Sequence, residues 1–153
     1  MRTVNGIDEL KQLAGTTLGP GDWWEITQDR VDRFADATGD HQWIHVDVER
    51  ARTGPFGGTV AHGYLTVSLL VPMWTELLRI DGIGMGVNYG LNKLRFPAPL
   101  PVGSKIRLRA QVESAREAAG GAVDLTVAMT VERDGGEKPV AVAEVIYRYF
   151  PAP

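Results

Sequence analysis

Hydrophobic and polar positions alternate most regularly in the last third of the chain. From Val123 to Val131 every second residue is apolar, a period of two that is typical of a strand with one buried face. Glycine-containing segments at 118–121 and 134–136 supply turns on either side. We therefore predict three long, neighbouring antiparallel strands, which cover residues 103–117, 121–133 and 138–150.

The first half of the chain has helical spacing instead. Residues 28–38 place their apolar side chains on one helical face, between an N-cap candidate, Thr27, and a glycine suited to the left-handed position after the last turn, Gly39. Residues 47–54 predict a second short helix, capped by Asp47. The chain is thus expected to place helices and loops before its long strands.

The segment from Thr59 to Ile80 is apolar on nearly every helical face, which indicates a buried helix. Thr59 is its candidate N-cap. Pro72 is expected to kink or end the helix, because proline lacks the amide hydrogen. Strands as long as those predicted would reach about 40 Å and must curl. This helix is what the sheet could curl around, so the pattern predicts an α+β fold.

Composition restricts the classes of function. A length of 153 residues predicts one domain over residues 1–153, and a net charge of -3 gives no reason to expect a nucleic-acid partner. The absence of cysteine excludes disulfides, a thiol nucleophile and thiolate metal sites. No apolar run resembles a signal peptide or could span a bilayer, so we predict a cytoplasmic protein that does not contact membranes.

The segment Gly39–His45, with the sequence GDHQWIH, holds the first candidate site. We expect a turn leading into a short extended stretch, because Gly39 ends the preceding helix. A loop can hold the Asp40 and His45 side chains about one water molecule, and an Asp–His pair can add water across a polarised double bond. The alternative is a polar loop with Trp43 folded into the core.

The segment Gly57–Gly63 leads directly into the apolar helix. The first amides of a helix have no internal partner and carry the positive end of its dipole. If this end faces Asp40 and His45, the amide of Gly63 could bind a developing oxyanion. Alternatively, the glycines of this segment only shape a turn and allow tight packing.

Neither a metal nor a dinucleotide site is predicted. His41, His45 and His62 fall within 22 residues, but they lack the His-Glu-x-x-His pattern and any carboxylate at an established ligand spacing. The glycines of residues 84–90 do not have the dinucleotide-binding spacing, and a strand rather than a helix follows them. We therefore expect no cofactor.

The run from Lys93 to Arg109 holds five basic residues and no acid. Such a strip could bind the phosphates of a carrier such as coenzyme A. It is also the pattern of a solvated face of two strands, because Lys105, Arg107 and Arg109 alternate with apolar residues. We favour the solvated face.

Three blocks of the chain, in the same order, resemble the MaoC-like dehydratase family, which includes the (R)-specific enoyl-CoA hydratases, and most closely its nodulation-protein-N-like branch. The first block matches the family's hydratase signature, and the others are AHG at Ala61–Gly63 and RFPAPLPVGS at Arg95–Ser104. The family's Asn-Pro is Gln42-Trp43 here, a substitution that is usual in this branch and bears on loop stiffness and acyl-chain preference. The matching signature residues are Phe34, Thr38, Gly39, Asp40, Ile44, His45 and Ala51.

The resemblance implies a hot-dog fold, in which a long curved sheet wraps around a central helix from Ala61 to about Arg79, and it implies a homodimer. It also implies reversible hydration of trans-2-enoyl-CoA thioesters to (R)-3-hydroxyacyl-CoA, with coenzyme A present only as part of the substrate. Asp40 and His45 become the catalytic pair, and the Gly63 amide becomes the oxyanion donor. Further substrate-binding candidates are Gln42, His62, Asn88 and Tyr89.

Two other functions remain compatible with such a fold. Many hot-dog thioesterases carry a catalytic acid near the start of the central helix. The only carboxylate on this helix is Glu76, about 20 Å along the axis from Gly63. A non-catalytic acyl-thioester-binding module would not need Asp40 and His45 together.

Overall fold

The thirteen helices and strands of the chain follow the predicted change from helices to strands. A computed structural model describes residues 1–153. In chain order the elements are β1 (Arg2–Asn5), α1 (Gly6–Lys11), β2 (Thr17–Leu18), β3 (Trp24–Glu25), α2 (Gln28–Thr38), α3 (Trp43–Val46), α4 (Val48–Arg52), α5 (Gly63–Leu77), β4 (Leu78–Asp81), β5 (Ile83–Arg95), β6 (Lys105–Glu117), β7 (Val123–Arg133) and β8 (Ala141–Pro151).

One sheet contains all the long strands. Its order is β2-β6-β7-β8-β5, with β3 also paired to β6, and every pairing is antiparallel. A separate parallel pair joins β1 to β4. The three long neighbouring strands predicted from alternation are therefore confirmed as β6, β7 and β8. The fourth long strand, β5, forms an edge of the sheet.

The alternation of β7 defines the face that enters the core. Leu125 and Val127 are fully buried, whereas Asp124 and Thr126 between them are only half-buried. The same buried face continues on β6 and β8, and it packs against the buried side of α5. Trp74 of α5 donates from Nε1 to the Tyr149 hydroxyl of β8 at 2.9 Å, and burial raises the pKa of Tyr149 to about 12. Helix α5 is thus the element on which the sheet packs.

Helix α5 differs from its predicted form in two ways. It begins at Gly63 rather than after Thr59, and it continues through Pro72 to Leu77. Proline leaves the Ser68 carbonyl without an amide donor, but Ser68 is exposed, so water can reach this group. The buried residues before and after Pro72 hold both parts of the helix against the core. One side of α5 is open to solvent, since Tyr64 is 73% exposed.

None of the helices combines the length and hydropathy that a membrane crossing needs.

Candidate active site

His45 lies on a one-turn helix, α3, so the extended stretch predicted after Asp40 is wrong. Its ring is buried, and Nδ1 lies 2.6 Å from the Val60 carbonyl oxygen. Because a carbonyl oxygen only accepts, Nδ1 carries the hydrogen and Nε2 keeps a free lone pair. The Val60 amide donates to the Ile44 carbonyl at 3.0 Å, which ties the same two segments together a second time. This contact therefore leaves Nε2 as the nitrogen of His45 that can exchange a proton with a substrate or water.

His62 forms the wall behind His45. The two rings stack with centroids 3.8 Å apart and planes 27° apart, and Phe34 lies 4.9 Å from His62. His62 is 2% exposed, and its Nε2 donates to the Asp40 carbonyl oxygen at 2.9 Å. Its Nδ1 is buried without a hydrogen-bond partner. His62, which the sequence predicts to bind substrate, thus packs against the ring of His45.

Asp40 is placed by the end of helix α2. Thr27 caps the start of this helix as predicted, and Gly39 ends it in the left-handed conformation (φ 77°, ψ 7°). The exposed Asp40 carboxylate receives the Gln42 amide at 3.4 Å and lies 4.0 Å from Nε2 of His62. Ligand atoms of Asp40, His45 and His62 all lie within 4.8 Å of one another. The fold therefore brings the predicted pair together and adds a second histidine.

Two histidines and a carboxylate are also ligand types that transition metals use. A metal bound to both imidazoles would have to lie in both ring planes, and the stacked planes of His45 and His62 do not meet at bonding distance. His41 faces away, where it contacts Asp36 at 2.9 Å, and this hydrogen bond raises the pKa of His41. The arrangement therefore suits acid/base chemistry better than a metal centre.

Gly63 is the first residue of α5, after His62 at the N-cap. Thr66 is the first residue of the helix whose amide donates to a backbone carbonyl, that of His62, at 3.2 Å. The Gly63 amide thus stands among the unpartnered donors at the positive end of the helix. The ring of Phe96 covers its Cα so closely that an added Cβ would meet Cε2 at 2.8 Å. Only glycine fits here without movement of Phe96.

An apolar groove runs between α5 and β5. It has a volume of about 380 Å³ and polar groups only from Ser68 and Asn88. Its lining residues are Val67, Ser68, Leu70, Val71, Asn88, Gly90, Leu91 and Val145. Asn88 is thus the one predicted substrate-binding residue that lines this groove.

Tyr89 and Gln42 have other surroundings. Tyr89 lies under the Arg148 guanidinium, whose Cζ is 3.7 Å from the ring centroid, and does not line the groove. Gln42 is exposed at the N-cap position of α3 without a side-chain capping bond. Their roles in substrate binding stay predictions.

Two of the five basic residues in the strip from Lys93 to Arg109 form ion pairs on the surface of the sheet. Arg107 and Arg109 donate to the same carboxylate, that of Glu132 on the neighbouring strand, at 2.7 and 2.6 Å. Arg107 also lies over the ring of Trp23, 4.4 Å from its centroid. These contacts agree with the solvated strand face that the sequence favours.

Gln28 is a residue of the site that sequence reasoning missed. Its side chain bonds His45 at the backbone carbonyl and the Thr59 hydroxyl. The prediction of Thr59 as a helix N-cap is wrong, because that hydroxyl donates to Gln28 and the helix starts four residues later. No local pattern could have found this pair, since the residues are 31 positions apart.

Residues 9–134 match the family model of the MaoC like domain, and the chain belongs to this family. It is 50% identical over 149 residues to 3-hydroxyacyl-thioester dehydratase Z of Mycobacterium tuberculosis, covering 97% of this chain and 99% of the relative. It is 41% identical over 142 residues to Nodulation protein N of Rhizobium leguminosarum, covering 92% and 88%. These relatives agree with the nodulation-protein-N-like branch.

The fold is also that of a solved structure. The R-hydratase PhaJ1 from Pseudomonas aeruginosa aligns with a TM-score of 0.74 at 23% identity, over 96% of this chain and 86% of that chain. The hot-dog fold expected from the resemblance, a long antiparallel sheet packed on one central helix, is therefore confirmed.

Proposed function

We propose that this protein is a hydro-lyase that reversibly hydrates trans-2-enoyl-CoA thioesters to (R)-3-hydroxyacyl-CoA. The observation that carries the proposal is the convergence of Asp40 and His45 beside the start of α5. A water molecule between the two side chains adds its oxygen to C3 of the enoyl group, and C2 takes up a proton. One of the two groups removes the proton from the water, and the other delivers the proton to C2. The sequence relationship to a 3-hydroxyacyl-thioester dehydratase supports the same chemistry.

The thioester oxygen gains negative charge as water attacks C3, and the Gly63 amide is placed to receive it. This donor lies at the positive end of α5, with no competing backbone acceptor. Loss of one such donor typically costs about 3 kcal/mol of barrier, and general acid/base catalysis contributes about 100- to 10,000-fold. The reaction moves protons and water and transfers no electrons, so we propose that it needs no cofactor.

The apolar groove between α5 and β5 suits the acyl chain. It lies along the helix whose first residue is Gly63, so a thioester held at that amide can extend over Val67 and Val71. Ser68 and Asn88 are the polar groups that it would pass. A short or medium chain fits a groove of about 380 Å³. The choice of coenzyme A as carrier and a cytoplasmic location remain predictions.

We also propose a homodimer that pairs through β5. This strand has a hydrogen-bonded neighbour, β8, on one side only, and all thirteen of its residues are exposed or half-buried. A long edge strand with exposed apolar residues is a surface that proteins usually pair or cover. Met85 and Leu91 are 52% and 44% exposed. Light scattering that gave a monomer would contradict the dimer.

Thioester hydrolysis is a weaker candidate. Glu76 lies at the opposite end of α5 from Gly63, and its carboxylate receives the Trp24 indole N–H at 3.1 Å. An acid in that position cannot reach a thioester held at the helix start. A binding module without catalysis would not require the contacts that position His45 and Asp40.

The test is hydration of crotonyl-CoA, followed by loss of the enoyl thioester absorbance, with thiol release measured in parallel. We expect turnover by the unmodified protein without thiol release, and a loss of about a hundredfold or more in Asp40→Asn and in His45→Gln. His41→Gln, which changes an exposed histidine, is the matched control and should retain activity.

Each other result has a distinct meaning. Thiol release would replace the hydratase by a thioesterase. Activity that survived both Asp40→Asn and His45→Gln would place the reaction elsewhere. No turnover on short and medium chains would favour an acyl-binding role.

A further inference from the structure

We propose that Gln28 is a positioning residue, which holds His45 in the tautomer and orientation that catalysis requires. The inference rests on the proposed hydratase function for its kinetic consequences, and on the geometry alone for its structural ones. Gln28 is the first residue of α2, directly after the N-cap. Its side chain connects the two segments between which His45 is held.

Every hydrogen-bonding group of the Gln28 side chain is used. Nε2 donates to the His45 carbonyl at 2.7 Å and to the Asp32 carboxylate at 2.8 Å. Oε1 accepts from the Thr59 hydroxyl at 2.6 Å. A primary amide has two donor hydrogens and one acceptor oxygen. The amide orientation is therefore determined, since the flipped side chain would place its oxygen against two other oxygens.

The two residues that Gln28 connects, His45 and Thr59, also lie on either side of the hydrogen bond made by the imidazole. Thr59 directly precedes Val60, and the Val60 carbonyl accepts from Nδ1 of His45 at 2.6 Å. Gln28 thus bonds the backbone carbonyl of His45 and the hydroxyl of Thr59, the residue that precedes the acceptor Val60. The result is a closed loop of contacts in which the Gln28 side chain supplements the backbone bond from the Val60 amide to the Ile44 carbonyl in holding α3 against residues 59–60.

Other contacts anchor the far side of this loop. The carbonyl of Thr59 accepts the Val102 amide at 2.9 Å, and Asp32 holds the Gln28 amide from the next turn of α2. These contacts hold the Thr59 segment in place independently of α3. When Gln28 no longer bonds both segments, the Val60–Ile44 backbone bond is the remaining direct tie between them besides the imidazole, and we expect the bond from Nδ1 to Val60 to lengthen and the ring to lose its fixed orientation.

This role predicts a defect in turnover rather than in substrate binding. Gln28 lines neither the apolar groove nor the start of α5. In Gln28→Met, which keeps the length and removes all three bonds, we expect kcat to fall about tenfold to a hundredfold, because a misplaced catalytic group can cost that much. KM should change by less than about twofold, as expected when only a transition-state interaction is lost.

Thr59→Val tests the same connection from its other end and keeps the shape of the side chain. We expect a similar loss of kcat, which Thr59→Ser should avoid because it retains the hydroxyl. The double variant Gln28→Met/Thr59→Val should be no worse than the more damaged single variant, since both remove one shared contact. Gln111→Met, at an exposed position of β6, is the matched control for the chemical change.

A spectroscopic measurement separates this inference from the proposed function. Nitrogen-15 NMR of the imidazole rings should report the Nδ1-protonated form for His45 in the unmodified protein and in Thr59→Ser, and a loss or exchange of that signal in Gln28→Met and Thr59→Val. This result would support the positioning role even if no substrate were hydrated.

Several results would overturn the inference. One is an unchanged His45 signal in a folded Gln28→Met protein. Another is a rise in KM with kcat retained, and a third is additive losses in the double variant. If Gln28→Met fails to fold, Thr59→Val and Thr59→Ser decide the same questions.

Discussion

The β6–β8 sheet and the Gly39–Gly63 segment are stabilised in different ways. In the sheet, each strand is paired along nearly its whole length, and the buried side chains of β7 contact the same core as those of both neighbours. In the segment, His45 has one acceptor for Nδ1 and one stacking partner, and Gln28 of α2 supports it with one partner for each amide hydrogen and one for its oxygen.

The difference separates stability from activity. A defect in the sheet removes one of many equivalent contacts, so it should lower the free energy of unfolding and leave the site of the folded molecules intact. A defect among the contacts that hold His45 removes one of only a few such contacts, so it should lower activity more than stability.

The largest expected effect breaks the sheet. Leu125→Ala removes a fully buried side chain from β7, and we expect the free energy of unfolding to fall by about 2–5 kcal/mol. Urea unfolding measures it. Activity per folded molecule should stay near that of the unmodified protein, and Thr126→Ala on the other face of the strand should cost much less. A proportional loss of activity by the folded fraction would contradict the separation.

Gly63→Ala is the corresponding test in the segment. The new methyl group would meet the Phe96 ring at 2.8 Å beside the proposed oxyanion donor. We expect kcat for crotonyl-CoA to fall about tenfold, because the methyl group must displace either the Phe96 ring or the helix start that carries the amide. Because Phe96 is the obstacle, the double variant Gly63→Ala/Phe96→Ala should be more active than Gly63→Ala alone. Equal activity of the two proteins would show that Phe96 does not transmit the effect.

Gly39→Ala tests the turn that ends α2 and begins the Gly39–Gly63 segment. Gly39 has a φ of 77°, a conformation in which a side chain is strained by about 1 kcal/mol. Thermal unfolding should reveal a loss of about that size. Gly58→Ala is a suitable control, because Gly58 has an ordinary φ and nothing within 4 Å of an added Cβ. Similar losses in both variants would mean that the left-handed turn is not the cause.

The smallest effect concerns a cross-strand ion pair on the sheet. Arg148 donates two hydrogen bonds to Asp124, at 2.6 and 2.8 Å, and they lower the pKa of that carboxyl. A lowered folded-state pKa contributes stability above the unfolded pKa of about 4, and the contribution is lost as the pH falls through the folded pKa.

Asp124→Asn should therefore destabilise the protein by up to about 1 kcal/mol at pH 7 and by less in acid. Urea unfolding at several pH values checks this trend, with the exposed Asp134→Asn as the control. A difference that grew in acid would have the wrong sign for this ion pair.

Much of the fold could be predicted because the signals are local. The period of two in β7 reflects the alternation of side chains across a strand, and the Thr27 and Gly39 caps reflect the unpaired groups at helix ends. The proximity of Asp40 and His45 could also be predicted, since they are five positions apart and lie in a recognisable block. The start of α5 was missed, because Thr59 has the chemistry of an N-cap but donates its hydroxyl to a distant residue.

The sequence by itself determined the approximate extents of β6, β7 and β8, the caps of α2 and α4 and the residue types of the candidate Asp–His pair, because each depends on backbone geometry over a few neighbours. Only the tertiary structure decided what surrounds them. The stacking of His62 on His45, the bridge from Gln28 to Thr59 and the exposed edge of β5 join residues distant in the chain or depend on which strand has a neighbour. Such relations are set by how the sheet and α5 pack, and no short pattern in the chain contains that information.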